Sequence, residues 1–131
     1  MAEGIREAAL GFDQNAGAYE AARPSYPAEA VAYIVGRGGV GPGRRALDLA
    51  AGTGKLTRLL VPAGAEVVAV EPVAAMRDQL VASSPEVEVH DGTAEALPLA
   101  DGSVDAITVA QAFHWFDAPV ALAEMRRVLR P

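Results

Sequence analysis

Residues 46–71 read ALDLAAGTGKLTRLLVPAGAEVVAVE, and this stretch decides the fold. It begins with an apolar segment typical of a buried strand, residues 46–50, and then turns at the glycines of residues 52–54. Residues 55–63 have the pattern of a helix, and residues 66–70 form a second apolar strand. A strand, a glycine turn, a helix and another strand in this order predict a parallel βαβ unit.

The same alternation continues along the chain. A helix over residues 28–35 and a glycine-rich loop over residues 36–43 precede the first strand. After the second strand the pattern predicts a helix over 73–83, a strand over 87–90, a strand over 104–110 and a last helix over 118–129. The strands are apolar on both faces because helices cover both faces of a parallel sheet. The sequence therefore predicts a single α/β domain.

The composition excludes several classes of function. The 131 residues include no cysteine and two histidines, so neither a disulfide nor a cysteine- or histidine-built metal centre is expected. A net charge of −6 argues against binding to nucleic acid. No stretch approaches the ~20 apolar residues of a membrane-spanning helix, and residues 1–10 lack the apolar core of a signal peptide. We expect a soluble cytoplasmic domain with no membrane partner.

Three kinds of cofactor site compete for the glycine turn. A dinucleotide-binding turn needs a third glycine where Thr57 stands, and a phosphate loop fails at Leu49 and Leu56. In S-adenosylmethionine enzymes an acid closes the strand, here Asp48, and the glycines meet the amino-acid half of the cofactor. Glycine permits both the sharp turn and the close approach of a ligand. A tight turn with a purely structural role remains the alternative.

Residues 48–54 resemble the first motif of class I S-adenosylmethionine-dependent methyltransferases, D-x-G-x-G-x-G, with Ala50 in place of the first glycine. Residues 110–116 match Ala-x-x-x-His-Trp-Phe and residues 12–27 match F-D-x-x-A-x-x-Y-x-x-x-R-P-x-Y-P. Both are similar to the type 11, trans-aconitate-methyltransferase-like branch. The resemblance implies a Rossmann-like parallel sheet of order 3-2-1-4. It also implies methyl transfer from S-adenosylmethionine to a small molecule, with S-adenosylhomocysteine as the product.

The resemblance further implies a set of cofactor-binding residues along the whole chain. Within this set, Gln111 and Ala112 face the methionine part of the cofactor. The set consists of Tyr19, Arg23, Asp48, Ala50, Gly52, Thr53, Gly54, Glu71, Pro72, Met76, Thr93, Ala94, Gln111 and Ala112.

Glu71 ends the second strand, 23 positions after Asp48. An acid at about 20 residues beyond a glycine turn can accept hydrogen bonds from both ribose hydroxyls of a nucleoside cofactor. Alternatively, or in addition, Glu71 caps a helix that begins at Pro72. The resemblance implies that Pro72 and Met76 pack on adenine, whereas an ordinary core role is the alternative for Met76.

Two more turns carry candidate residues. By resemblance, the Thr93 hydroxyl and the Ala94 backbone N–H contact adenine after the third strand, where Asp91 could instead be a simple turn former. After the fourth strand, His114 is a candidate general base because its ordinary pKa lies near neutrality. The alternative for His114 is a packed wall of the pocket, since alignment of the two reactants can suffice for methyl transfer.

Residues 1–27 form a predicted N-terminal lid over the domain of residues 28–131. Tyr19 and Arg23 are four positions apart and therefore lie on one face of a helix. By resemblance, Arg23 binds the carboxylate of the cofactor and Tyr19 covers it. A solvated surface helix is the alternative.

The resembled fold continues beyond the last helix with a fifth strand, another helix and an antiparallel pair, which this chain lacks. Residues 104–109 would then form an apolar sheet edge, which tends to pair with another chain. We therefore expect a homodimer or a higher oligomer. A non-catalytic cofactor-binding or interaction module is the second interpretation of the chain. A nicotinamide-dependent dehydrogenase is a third, weakened by Thr57.

Overall fold

A computed structural model of the chain describes residues 26–110 and 112–131. In these residues the helices are α1 (Ala28–Gly38), α2 (Lys55–Leu60), α3 (Ala74–Ser83) and α4 (Ala118–Val128). The strands are β1 (Arg45–Leu49), β2 (Glu66–Val70), β3 (Glu88–His90) and β4 (Ala106–Val109). Two short 3-10 helices, Val61–Ala63 and Phe113–Trp115, follow α2 and β4.

The four strands form one parallel sheet in the order β3-β2-β1-β4. β1 lies at the centre, where Asp48 is in register with Ala69 of β2 and Thr108 of β4. The order and the α/β class confirm the prediction from sequence. Because the strands are parallel, all their carboxyl ends lie at one edge of the sheet, where ligands bind in open α/β folds.

Apolar side chains cover both faces of the sheet. On one face, Leu47 and Leu49 pack with Phe116 and with Ala121 and Val128 of α4. The opposite face packs against α2 and α3 through a cluster that includes Ala46, Leu56, Leu60, Val67, Ala69 and Leu80. The central strand therefore alternates between two cores, which explains why Ala46, Leu47 and Leu49 are apolar.

Three predicted boundaries are corrected. α1 continues past residue 35 to Gly38 and ends at Gly39, which has the left-handed φ of 66° common at helix ends. The helix predicted to run to residue 63 ends at Leu60 and tightens into 3-10 turns around Pro62, which has no N–H to continue an α-helix. The fourth strand begins at Ala106, two residues later than predicted.

The predicted apolar edge over residues 104–109 is also shorter than expected. Val104 is fully buried, and its backbone bonds with the end of α4 and the segment after it: its N–H donates to the Val128 carbonyl and its carbonyl accepts the Arg130 N–H. Of the predicted segment, the part that lacks a second neighbouring strand within the described residues is Ala106–Val109. Coverage of this shorter edge by another copy of the chain stays a prediction.

Candidate functional site

The glycine turn after β1 repeats an unusual backbone conformation at alternate residues. Ala50, Gly52 and Gly54 have φ angles of 55°, 61° and 92°, all in the left-handed region. At Gly54 a side chain is disfavoured by the left-handed φ and also by lack of space, because a Cβ there would lie 2.8 Å from Cγ of Leu80. The left-handed positions of the turn therefore favour glycine, and Ala50 adopts the same conformation at a cost in backbone strain.

Asp48 lies beneath this turn and is almost completely buried, with 1% exposure. Thr57 Oγ1 of α2 donates to its Oδ2 over 2.6 Å, and Thr108 Oγ1 of β4 donates to its Oδ1 over 3.0 Å. Thr57 occupies the position of the third glycine in a dinucleotide-binding turn. A threonine there supplies a hydroxyl that binds the Asp48 carboxylate, which a glycine could not do. One carboxylate thus joins β1, α2 and β4.

Glu71 connects the turn to the end of β2. Its Oε1 accepts the N–H of Gly52 and its Oε2 accepts the N–H of Val73, each over 2.8 Å. Burial raises the pKa of Glu71 above the ordinary 4.5, against the opposing effects of the two N–H donors and of Arg77. Each carboxylate oxygen can accept a second hydrogen bond, so a pair of vicinal hydroxyls fits this arrangement.

The predicted capping role of Glu71 is corrected by the same geometry. α3 begins at Ala74 rather than at Pro72, and Val73 precedes it in an extended conformation. The carboxylate therefore orders the loop that leads into the helix instead of capping the helix itself.

Arg77 of α3 links the ends of two neighbouring strands. Its Nη1 donates to the carbonyl of Glu71 over 2.9 Å and to Oδ1 of Asp91 over 3.1 Å. Asp91, which the sequence left as a possible turn former, is therefore the ion-pair partner of this arginine. The link fixes the loop after β3 relative to the acid after β2.

The loop after β3 carries Thr93 and Ala94, the two predicted contacts of adenine. Ala94 is 2% exposed and packs in the core beneath α4, so its methyl group points away from solvent. Thr93 is half-buried and pairs with Ala96 in an isolated antiparallel bridge. Contact of the Thr93 hydroxyl and of the Ala94 N–H with adenine stays a prediction.

The remaining predicted residues differ in how far the structure describes them. Thr53 is 1% exposed and Met76 is 2% exposed, while Pro72 and Ala112 are half-buried. His114 belongs to the 3-10 helix after β4, but its side chain, like the residues Tyr19, Arg23 and Gln111, lies outside the described part. Their roles stay predictions.

Sequence reasoning missed Thr57 and Thr108 as polar partners of Asp48. A signal was present in both cases, since each threonine interrupts an otherwise apolar face of a buried element. What the sequence could not give was the pairing, because Thr108 is 60 residues from Asp48 along the chain.

Within residues 26–110 and 112–131, no group of three or more histidine, cysteine or acidic side chains could hold a metal ion. No helix in this part is long and apolar enough to cross a membrane.

Comparison with known proteins assigns the family. A family described as "Methyltransferase domain" matches residues 47–131, which include the glycine turn, both buried acids and β4. The chain belongs to this methyltransferase domain family. The predicted resemblance is thereby confirmed at the level of the family.

Relatives of the methyltransferase domain are longer than this chain. An uncharacterised methyltransferase of Mycobacterium tuberculosis is 51% identical over 126 residues, which cover 96% of this chain and 50% of that protein. A demethylmenaquinone methyltransferase of Renibacterium salmoninarum is 39% identical over 99 residues, 75% of this chain and 42% of that protein. The chain thus spans about half the length of the curated relatives it matches.

A solved structure agrees with the fold of the methyltransferase domain. The SAM-dependent methyltransferase of Aquifex aeolicus superposes with a TM-score of 0.70 at 24% identity, covering 77% of this chain and 58% of that one. The four-stranded sheet therefore corresponds to part of a larger Rossmann-like methyltransferase fold.

Proposed function

We propose that this chain binds S-adenosylmethionine at the carboxyl ends of β1, β2 and β3 and transfers its methyl group to a small molecule. The observation that carries the proposal is the hydrogen bond between Gly52 N–H and Glu71 Oε1. It joins a glycine turn to an acid with oriented oxygens, the two groups that a nucleoside linked to an amino acid needs.

Different residues of the described part would bind the adenosine half and the amino-acid half of the cofactor. Glu71 would hold the two ribose hydroxyls, and the Ala94 N–H would contact the edge of the adenine ring. The turn of residues 52–54 would receive the amino-acid half, with Asp48 behind it. When bound, the cofactor supplies an electrophilic methyl group on a sulfonium.

The contribution of the chain to the reaction is mainly alignment. Holding donor and acceptor in line provides most of the rate of a transfer that needs no fixed base. His114, on the 3-10 helix after β4, is the candidate base for an acceptor whose proton must leave. The relative from Renibacterium salmoninarum, named for a small-molecule acceptor, supports a small-molecule substrate.

Titration calorimetry of the chain tests binding. We expect heats of binding with S-adenosylmethionine and S-adenosylhomocysteine and none with NAD, since Thr57 replaces a glycine of the dinucleotide pattern. Binding of NAD alone would replace the proposal with a dehydrogenase-type site. Binding of none of the three would refute any nucleoside cofactor at this turn.

A turnover assay distinguishes catalysis from binding alone. Production of S-adenosylhomocysteine in the presence of small carboxylic acids or phenols is expected of an enzyme. Binding without turnover would favour the second candidate, a non-catalytic cofactor-binding module.

We also propose that a second copy of the chain covers the free edge of β4. Support comes from Ile107 and Val109, which are apolar, half-buried and located on a strand with one sheet neighbour in the described part. Sedimentation velocity at high protein concentration tests this, and a monodisperse monomer would contradict it.

A further inference from the structure

We propose that Thr57 and Thr108 are positioning residues, whose hydroxyl groups hold the Asp48 carboxylate in place for the amino-acid half of the cofactor. This inference rests on the proposed function. It adds two residues to the site that neither contact the cofactor nor belong to the glycine motif.

The geometry favours two specific hydrogen bonds over general packing. Each threonine addresses a different oxygen of Asp48, Thr57 over 2.6 Å and Thr108 over 3.0 Å. The Thr108 hydroxyl also lies 3.5 Å from the Leu47 carbonyl, but its single proton favours the shorter contact with a charged acceptor. The carboxylate plane is therefore fixed from both sides.

The chemistry of the donors matters as much as their positions. Hydroxyl groups satisfy a buried carboxylate without bringing a positive charge of their own. Both side chains are β-branched and buried, with 0% exposure for Thr57 and 8% for Thr108, so their rotamers are restricted. The two threonine hydroxyls thus orient Asp48 without adding charge, which suits a carboxylate behind the turn that receives the ammonium group of an amino acid.

A purely structural role explains this arrangement poorly. A carboxylate 1% exposed at the centre of a parallel sheet costs free energy, and three apolar side chains of similar size would pack there with less penalty. The two threonines are useful at these positions only if the acid itself is needed.

Two kinds of variant distinguish positioning of Asp48 by the hydroxyls from simple packing: variants that keep the shape and variants that keep the hydroxyl. Thr57→Val and Thr108→Val keep the shape and remove the hydroxyl, whereas Thr57→Ser and Thr108→Ser keep the hydroxyl and remove a methyl group. The ligands are S-adenosylhomocysteine and 5′-methylthioadenosine, which shares the adenosine half but has no amino-acid half. Dissociation constants are measured by calorimetry, and folding is checked by thermal unfolding.

We expect each valine variant to bind S-adenosylhomocysteine roughly tenfold more weakly, the effect of losing one hydrogen bond to a charged group. Binding of 5′-methylthioadenosine should change by less than about threefold, because Glu71 and the adenine loop keep their contacts. The serine variants should bind both ligands like the parent. Ser103→Ala, which removes a hydroxyl near the amino ends of the strands, is the control and should change neither constant.

Several results would overturn the inference. Serine variants that lose as much affinity as the valine variants would assign the effect to packing. An equal loss for both ligands would assign it to general disorder of the site. If Thr57→Val does not fold, Thr108→Val on the edge strand decides. If the parent binds neither ligand, the proposed function is itself wrong and the inference falls with it.

Discussion

The carboxyl ends of the strands bury two acids, whereas the amino ends expose two. Asp48 and Glu71 are 1% and 5% exposed, and their carboxylates accept hydrogen bonds from hydroxyls and backbone N–H groups. At the amino ends, the side chains of Glu66 and Glu88 are 68% and 47% exposed and pair with Arg45. Asp48 and Glu71 are thus held by buried hydrogen bonds, and Glu66 and Glu88 by surface ion pairs.

The comparison shows that the fold accepts a cost in stability at the carboxyl ends of the strands and not at the amino ends. A buried carboxylate costs free energy even when its hydrogen bonds are satisfied, so its presence calls for a use. Surface ion pairs cost little and contribute little, typically about 0–1 kcal/mol each. The same kind of substitution should therefore have large effects at one edge and small effects at the other.

The largest difference is expected between two glycines, Gly54 at the carboxyl edge and Gly102 at the amino edge. Both have a left-handed φ, 92° and 58°, but a Cβ at Gly54 would clash with Leu80 and one at Gly102 would meet nothing within 4 Å. Gly102→Ala should lower the free energy of unfolding by about 1–2 kcal/mol through backbone strain. Gly54→Ala should lower it by roughly a further 1–3 kcal/mol through overpacking. Urea unfolding measures both, and equal losses would contradict the clash.

The next effect concerns ligand affinity. Glu71→Ala should weaken binding of S-adenosylhomocysteine by ~1–3 kcal/mol, because the ribose hydroxyls and two backbone N–H groups lose their acceptor. Glu88→Ala at the opposite edge is the matched control and should leave the dissociation constant unchanged. Calorimetry gives both values, and similar losses would mean that the substitutions act through the fold rather than the site.

A smaller effect of opposite sign is expected at Ala50, whose φ of 55° is unfavourable for a residue with a Cβ. Ala50→Gly relieves strain and loosens the unfolded chain, and the net gain in unfolding free energy should be ~0.5–1 kcal/mol. Ala51→Gly, next to it, has no such strain to relieve and should be destabilising. Urea unfolding of the two variants measures this difference. A lower unfolding free energy in both would argue against strain at Ala50.

The smallest effects distinguish the two edges by pH. Burial raises the pKa of Glu71, so its contribution to the unfolding free energy is present below 4.5 and is lost as pH rises through the raised value. The pKa of Glu88 is lowered by its hydrogen bond with His90 and by Arg45, so its contribution is present above 4.5 and is lost as pH falls.

Glu71→Gln and Glu88→Gln each remove one titrating group, so each isolates the contribution of that group to the pH dependence of the unfolding free energy. Relative to the parent, Glu71→Gln should gain stability as pH rises from about 4 to 7, and Glu88→Gln should lose it, since the two pKa shifts have opposite signs. The Glu88 effect should stay below about 1 kcal/mol and shrink in high salt, as for other exposed ion pairs. Slopes of the same sign in unfolding titrations would contradict the comparison.

Pattern and motif predicted most of the fold, and the site only in outline. β2 occupies Glu66–Val70 as predicted, because an apolar run between a glycine and an acid leaves little choice. β4 begins two residues later and ends one residue earlier than predicted, and at its start Val104 has the apolar character of a strand residue but pairs with the segment after α4. The turn and Glu71 were found from local spacing.

The partners of the buried acids required the folded chain. Thr57 and Thr108 meet Asp48 only because α2 and β4 pack against β1, and the second pairing crosses 60 residues. Glu71 likewise accepts the N–H of Gly52, 19 residues away. Such hydrogen bonds depend on register and crossing geometry, which a local pattern does not contain.

The segment that follows α4 has a consequence for the exchange of amide hydrogens with solvent. Ser103 and Val104 donate to the Val128 carbonyl, and Arg130 donates to the Val104 carbonyl over 2.8 Å. These amides lie outside the regular strands, yet they can exchange only when the end of α4 detaches from the sheet. All three should therefore report one shared free energy of opening, as a unit that opens when the end of α4 leaves the sheet.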